Sequence, residues 1–551
     1  LSKKRIIRNV LIAIAAVVAC LAIVVAITIN TPWFRNFLRG EIGKLALQNA
    51  GARVQVGSIA THWTRFVFDL NNVVVDGNQD PSPNRPPLLQ ATRLEIGLRF
   101  WPLLHKRVEL SKLILDKPVI HLRIDAQGRS NLPVSPHPSK SGSSTDTIFN
   151  LKIADCAINS GQIFYNDAEV PIDARLHDLN LKTTYSLLAS EYKGSLSYDQ
   201  GVLVARQLGA IDNAMQVQFS ATRSGLSLNP LVLTTGASRL TLNANLTNYQ
   251  APHIEGKYAA NLSTGELANI LHSPSLPTGT VTSTGTLTYQ AGQDRPFVSA
   301  LNVQGRMHSD RLDFQRGQTN LPATNVSSAY SLQNATLRVP DLVADILGGK
   351  ARANFEMQHM EAQHASSRLV ASLQGVSLAT ASNQLASSNV KKAPFAGTTD
   401  LQLNAAWSGA IQDAVAHARL TITSRGRAAS AKSIPVNGLL TVDYNGPQNT
   451  ISFGQSYLQT ANTHLSIAGT LSSQKGGHST LTLLATTGNL NETAEVAGMV
   501  QSAMQSAGTP SRIPQLGGSA SLTVRATGTA KNPQILGRLT AANLSVAGSH
   551  W

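Results

Sequence analysis

In Leu240-Thr241-Leu242-Asn243-Ala244-Asn245-Leu246 every second residue is apolar and those between are polar. A segment of this kind is at ease only as a β-strand with one face on apolar matter and the other in water. The pattern runs the length of the chain. Val54 and Val56 alternate, then Phe66, Phe68 and Leu70, then Val73 and Val75 up to the turn Asp76-Gly77. Leu94, Ile96, Leu98 and Phe100 face one way, while Arg93, Glu95 and Arg99 face the other; Ile120, Leu122 and Ile124 continue the theme. Charged residues make up only 14% of the chain, against roughly 25% in a typical soluble domain. Ser, Thr, Asn, Gln and Gly fill the polar positions instead, which suits exposed strand faces and turns. With 42% apolar residues placed at strand spacing, disorder is excluded.

Superimposed on the alternation is a longer repeat. Residues 262–271, 376–387 and 489–504 each read as a short helix after a strand. Each is followed by a proline and a glycine: Pro277 and Gly279, Pro394 and Gly397, Pro514 and Gly517. The prolines stand 117 and 120 residues apart. An alternating strand follows each, carrying Leu287 and Tyr289, then Leu401 and Leu403, then Leu522 and Val524. The expected fold is therefore mainly β: an elongated, repetitive, twisted antiparallel sheet forming a groove, with short helices between repeats.

The N-terminal end departs from this pattern. Val10 to Ile29 is an apolar run of twenty residues with one weakly polar member, Thr28. As a helix it spans about 30 Å, the thickness of a bilayer's hydrocarbon core. Lys3, Lys4, Arg5 and Arg8 precede it, which predicts a cytoplasmic N-terminus and a bulk on the far side. Val17-Val18-Ala19-Cys20 resembles a lipoprotein cleavage box, but the residues after Cys20 stay apolar, which favours an uncleaved anchor. Thr31-Pro32 then opens an amphipathic helix to Asn49, with Phe34, Phe37, Leu38, Ile42 and Leu45 at helical spacing, ending at Gly51. It reads as a cap on the first strands, as a seat on the membrane surface, or as both. The predicted organisation is a basic tail 1–9, a membrane span 10–29, a cap 32–132, a linker 133–147 and a β-repeat region 148–551 with a period of about 115–120 residues. The chain opens on Leu and closes within a strand, so it is expected to be a piece of a longer protein.

Charge sharpens the class. Of the net +15, +10 falls in the first 131 residues, beside the predicted span. Anionic headgroups would attract such a region. Arginine does not cluster with aromatics, and aromatics are 5% of the chain, so no nucleic acid partner is expected. The two cysteines, Cys20 and Cys156, imply no disulfide framework and have no metal spacing.

Catalytic chemistry is not legible. His359-Met-Glu361-Ala-Gln-His364 is the densest ligand-like cluster, but it is not an H-E-x-x-H motif and reads as a polar loop. Gly348-Gly349-Lys350-Ala351 lacks the rest of a phosphate loop. Asp116 and Asp125 are separated by a strand and read as edge or turn charges. No catalytic residue, metal ligand or cofactor is predicted, and the protein is expected not to be an enzyme.

Strands with one apolar face must cover it, and no run of long amphipathic helices is present to do so. The sheet closes on itself, or it curls into a trough. An open apolar trough of this extent exceeds what water tolerates, and acyl chains would fill it. Its lining would include Leu94, Ile96, Leu98, Phe100, Ile120, Leu122, Ile124, Leu240, Leu242, Leu246, Leu401, Leu403, Leu522 and Val524.

The N-terminal run and helix, the strand Gly51-Ala-Arg-Val-Gln-Val-Gly57 and Val73-Val-Val-Asp-Gly77 resemble the start of AsmA-like proteins, the family that includes TamB. Lys117-Pro118-Val-Ile-His-Leu-Arg123, followed by Gly128-Arg-Ser-Asn131-Leu132, is similar to that family's proline-strand-glycine-asparagine signature. Ile158 to Asp167 and Gly528 to Gly537 resemble its recurring strands. The resemblance implies an N-terminal cap like that of chorein-type bridge-like lipid transfer proteins, an inner-membrane anchor and a periplasmic bulk. It also implies movement of phospholipid between inner and outer membranes. Two other readings remain open at this level: a TamB-like assembly factor whose partner is an outer-membrane β-barrel protein, and a structural β-repeat protein with a closed core.

Overall fold

The computed structural model describes residues 36, 40–41, 43–44, 46–48, 51–62, 65–77, 85–99, 101–102, 109–133, 149, 152–169, 171–205, 208–274, 276–292, 296–316, 319–362, 364–385, 395–424, 433–474, 476–493, 516–529, 532–546 and 549–550. The predicted span 10–29, the helix positions Phe34, Phe37, Leu38, Ile42 and Leu45, Phe100 and nearly all of the linker lie outside them. The described residues between 36 and 48 are helical. They hand over to the first strand through Gly51, whose N–H donates to the Leu47 carbonyl at 3.1 Å. Among the described residues no helix is long and apolar enough to cross a membrane.

The chain divides into two compact units, residues 1–256 with 269–272, and residues 257–268 with 273–551. The first unit is built on β1 (Arg53–His62), β2 (Val67–Asp76), β3 (Leu89–Leu98), β4 (Leu110–Asp116), β5 (Val119–Ile124), β6 (Asp155–Asp167), β7 (Ile172–Ser186), β8 (Glu191–Ala205), β9 (Ile211–Ala221), β10 (Gly225–Thr235) and β11 (Ser238–Thr247). Neighbours in sequence pair antiparallel. Phe66, expected in a strand, instead sits in the β1–β2 turn with φ +52°.

In this unit the purely antiparallel expectation fails at one step. β4 and β5 are two halves of a strand broken at Lys117-Pro118; both run antiparallel to β3 and both pair parallel with β6. Proline has no N–H to give a ladder, so the strand breaks there, and the Pro118 ring is among the most completely buried side chains. A parallel neighbour needs a crossover instead of a tight turn, and residues 125–154 provide it. Its start is pinned by the signature residues. Asp125 accepts from the N–H groups of Gln127 and Arg129, both at 2.9 Å. The buried Asn131 amide accepts from the Arg123 N–H at 3.0 Å and donates to the His121 carbonyl at 2.7 Å. Two backbone groups of β5 that a neighbouring strand would otherwise satisfy are thus satisfied by one side chain.

The second unit holds β12 (His253–Ser263) from residue 257 onward, α1 (Thr264–Ile270) up to residue 268, β13 (Thr278–Gln290), α2 (Phe297–Ala300), β14 (Leu301–Arg316), β15 (Thr319–Gln333), β16 (Thr336–Ile346), β17 (Gly349–Gln358) and β18 (Ser366–Ser377). It continues with α3 (Leu378–Leu385), β19 (Phe395–Ala396), β20 (Thr398–Ser408), β21 (Val415–Thr423), β22 (Ile434–Pro435), β23 (Asn437–Asn445), β24 (Thr450–Gln459), β25 (Thr463–Ser472), β26 (His478–Thr487), β27 (Leu516–Thr529), β28 (Asn532–Val546) and β29 (Ser549–His550). From β13 to β29 each long strand is antiparallel to the one before it, and β19 and β22 form a separate parallel pair. Two-residue turns at Asn334-Ala335 and Leu347-Gly348, all four residues with positive φ, close the β15–β16 and β16–β17 hairpins. That geometry matches the strand twist. The helices start slightly later than expected, because β12 and β18 run on to Ser263 and Ser377 before the chain coils.

Many strand pairs carry a register shift, as at Ile158/Gly161, Tyr198/Gly201, Leu228/Leu231, Val339/Leu342, Leu439/Val442 and Phe453/Ser456. Ser160, Asp178, Asn325 and Asp341 adopt positive φ beside such shifts. A bulge bends the strand that holds it and raises its twist. The strands that hold these bulges are therefore bent where the shifts fall. Side chains buried together are few and lie to one side. Leu312, Ala323, Val326 and Ala344, backed by Val281, Ile346 and Ala351, form a small core at the strand ends from which α3 departs; α3 packs on β15 and β18.

Candidate functional site

Strand pairing aligns the apolar alternation of one strand with that of the next. In the first unit the register joins Ile59 to Leu70, Leu70 to Leu94, Leu94 to Leu115, Leu115 to Ile158 and Ile158 to Leu181. It continues from Leu181 to Leu196, Val217, Leu231 and Leu242. Ten aliphatic side chains on ten strands thus make one unbroken rung. At about 4.8 Å per strand it runs for roughly 43 Å. Ile59, Leu70 and Val217 are buried and the other seven are half-buried. On the opposite face Lys182, Gln216, Gln218 and Asn243 are exposed.

The second unit repeats the arrangement. Leu342 pairs with Ala353, then the register passes through Ala371, Leu403, Ala418, Val442, Phe453, Gly469 and Leu481 to Ala526. All ten are half-buried, and none is fully covered. A closed sandwich would bury such residues against a second layer. Here the apolar face has partial cover only.

The register places the described candidate lining residues on these strands. Leu94, Ile96 and Leu98 stand on β3, and Ile120, Leu122 and Ile124 on β5, with Ile120 joining Leu89, Ile163 and Leu176 in a second rung. Leu240, Leu242 and Leu246 face Leu233, Leu231 and Leu226 of β10. Leu401 lies between Leu373 and Leu420, Leu403 between Ala371 and Ala418, Leu522 between Ala485 and Leu539, and Val524 between Leu483 and Gly537.

Two arrangements escaped the sequence reading. On the half-buried face of the second unit, Gly285 of β13 pairs with Gly305 of β14, which pairs with Tyr330 of β15. Tyr258 leans in from the β12 side, and its hydroxyl is hydrogen-bonded to that of Tyr330, which also bonds Ser283. A Cβ on Gly305 would lie 2.5 Å from the Tyr258 hydroxyl and 2.7 Å from that of Tyr330, so the two hydroxyls meet here only because both central residues are glycine. Burial, then the Tyr330 hydrogen bond, holds the Tyr258 hydroxyl far above the usual phenol range. The only local hint was a pair of glycines in strand interiors.

The second concerns the face of β3 expected to be wet. Asp69 and Glu95 are 7% and 8% exposed. Arg93 binds them at 2.9 and 2.8 Å, and Lys112 binds Glu95 at 2.7 Å, with Asp116 and His62 at the margin. Carboxylates are tolerated out of water when so paired, and this corrects the expectation of a solvated face. The Asp69 hydrogen bond is the main cause that raises the Arg93 guanidinium above its ordinary value.

The remaining polar motifs fall apart in space. His359, Glu361 and His364 occupy the β17–β18 loop, with His359 3.8 Å from Glu361. Gly348 belongs to a hairpin turn, and Lys350 pairs with Asp345. Asp116 binds Asn159 and Arg93, while Asp125 binds Arg129. Among the described residues, no three His, Cys, Asp or Glu side chains converge as a metal site would require. Cys156 is half-buried, and burial raises its thiol above the ordinary value.

No curated protein and no solved structure matches this chain. The AsmA family model matches residues 4–291, more than half of it. Its proline-asparagine signature at the parallel step and its repeating strands agree with that match, and this chain belongs to the AsmA family.

Proposed function

We propose that this protein is a lipid conduit, anchored in the inner membrane and extending into the periplasm, that carries phospholipid between inner and outer membranes. The observation that carries the proposal is the unbroken aliphatic rung from Ile59 to Leu242. An acyl chain laid on such a face leaves water at about 0.8 kcal/mol per methylene. A charged headgroup cannot follow it without losing hydration, so it stays at the open side. Contact with an aliphatic rung is not directional. A chain can slide from one strand's side chains to the next without leaving a fixed seat. Family membership and a long β-sheet agree with this bridge-like reading, in which the protein catalyses no reaction.

A photo-crosslinking residue at Leu242 is expected to capture phospholipid, and one at the exposed Asn243 is not. Leu242→Arg should leave the sheet folded and abolish capture at strands beyond it, because a guanidinium in the path keeps its water. Equal capture at both positions, or unfolding of the Leu242→Arg protein, would sink the reading in favour of a structural sheet.

A further inference from the structure

The turns of the first unit fall on two rims of its sheet, and the rims differ. On one lie the β1–β2 turn, the β3–β4 loop, the segment entering β6, and the β7–β8, β9–β10 and β11–β12 turns. Hydrogen bonds tie this rim together: Arg99 donates to the Lys152 carbonyl at 3.1 Å, and the Tyr185 N–H donates to the Ala154 carbonyl at 2.9 Å. The three most exposed large apolar side chains described in this unit are all here. Leu188 at the β7–β8 tip is 103% exposed, Trp101 is 73% exposed and Leu187 is 61% exposed.

Charge separates the rims as well. The turns of this rim carry Arg65, Arg99, Lys152 and Arg223, against Glu109 as the acidic residue described there. The described turns of the opposite rim are balanced, with Arg85 and Arg129 against Asp125 and Glu169. Bare leucines at a hairpin tip are costly in water, and their placement beside cations and an exposed indole matches the headgroup–acyl boundary of a bilayer.

We propose that this rim rests on a bilayer bearing anionic headgroups, with Leu187 and Leu188 inserted among the acyl chains and Trp101 at the interface. The contact stands apart from lipid movement along the rungs: the rim can dock whether or not the apolar face carries lipid. Docking would hold the strands of this unit upright on the surface, with the rung running parallel to it.

The test uses the full chain reconstituted in vesicles of phosphatidylethanolamine and phosphatidylglycerol, with Cys20→Ala and Cys156→Ala as background. An environment-sensitive fluorophore is placed at Leu188→Cys and, on the opposite rim, at Ala237→Cys. At 188 the emission should shift to the blue and fall at least twofold with brominated phospholipid, with weaker quenching in phosphatidylcholine vesicles. At 237 it should stay aqueous and open to iodide. Leu187→Cys repeats the readout if labelling at 188 disturbs the hairpin, as a changed protease pattern would reveal. The same aqueous emission at 188, 187 and 237 overturns the proposal. So does shielding at 188 that follows protein concentration instead of brominated lipid, which would assign the tip to a second copy of the chain. Lipid capture at Leu242 is unaffected by either outcome, so the two readings fail separately.

Discussion

The hydroxyls of Tyr258 and Tyr330 meet above Gly285 and Gly305, on a face otherwise given to aliphatic side chains. The Tyr330 hydroxyl bonds both the Tyr258 hydroxyl and Ser283. Tyr330→Phe leaves Tyr258 and Ser283 hydroxyls without that partner and should destabilise the second unit by about 1–2 kcal/mol. Removing all three hydroxyls (Tyr258→Phe, Tyr330→Phe, Ser283→Ala) should cost less than the single change. Gly305→Ala should cost about 2–3 kcal/mol, because the new methyl meets both hydroxyls and the Thr284 carbonyl at 2.8 Å. Denaturant titration of the four proteins decides the order.

Partial cover along the rung makes a second prediction about stability. Leu70, 4% exposed, should cost about 3 kcal/mol when cut to alanine. Leu181, in the same rung but half-buried, should cost less, about 2 kcal/mol, since part of its surface stays in water on folding. Equal losses in urea unfolding would mean that the rung is covered in solution.

Asn131 carries the crossover on two hydrogen bonds. Asn131→Ala should cost about 2 kcal/mol, because the Arg123 N–H and the His121 carbonyl lose their partner. Asn131→Asp retains only the acceptor and should fall short of wild type. Faster proteolysis within residues 125–154 is the measurable sign.

His121 stacks on Phe164 at 5.0 Å, and its Nδ1 is buried without a hydrogen-bond partner. Burial, with a smaller push from Arg123, lowers its pKa below the ordinary 6.5. A depressed base is neutral when folded and protonates more readily when unfolded. Its contribution is therefore complete above pH 6.5 and is lost as pH falls below that value toward the folded pKa. Thermal unfolding of the wild type should drop across that window, and His121→Phe should flatten the drop.

The face of each strand was legible because period two needs no knowledge of partners. Leu240, Leu242 and Leu246 needed nothing more. Which residue meets which was not legible, since register depends on bulges at Ser160, Asp178 and Asn325, residues whose positive φ no local pattern announces. Tyr258 and Tyr330 are 72 positions apart, beyond any periodic signal. Arg93 and Glu95 read as solvated because charge in a sequence carries no sign of its neighbours, here Asp69 and Lys112. Pro118 opened a signature strand, and nothing beside it told that the strand breaks there or that the next partner would be parallel.

Pairing almost wholly between consecutive strands has a consequence for how the chain is made. A nascent chain with such connectivity closes only short loops, and the edge of each finished hairpin templates the next strand. Folding can thus keep pace with synthesis or export, and no strand waits for a partner still to come. The exception is the parallel step, where β6 must cross residues 125–154 before it reaches β4 and β5. That crossover is the longest loop to close in the first unit, and the two hydrogen bonds of Asn131 fix its start.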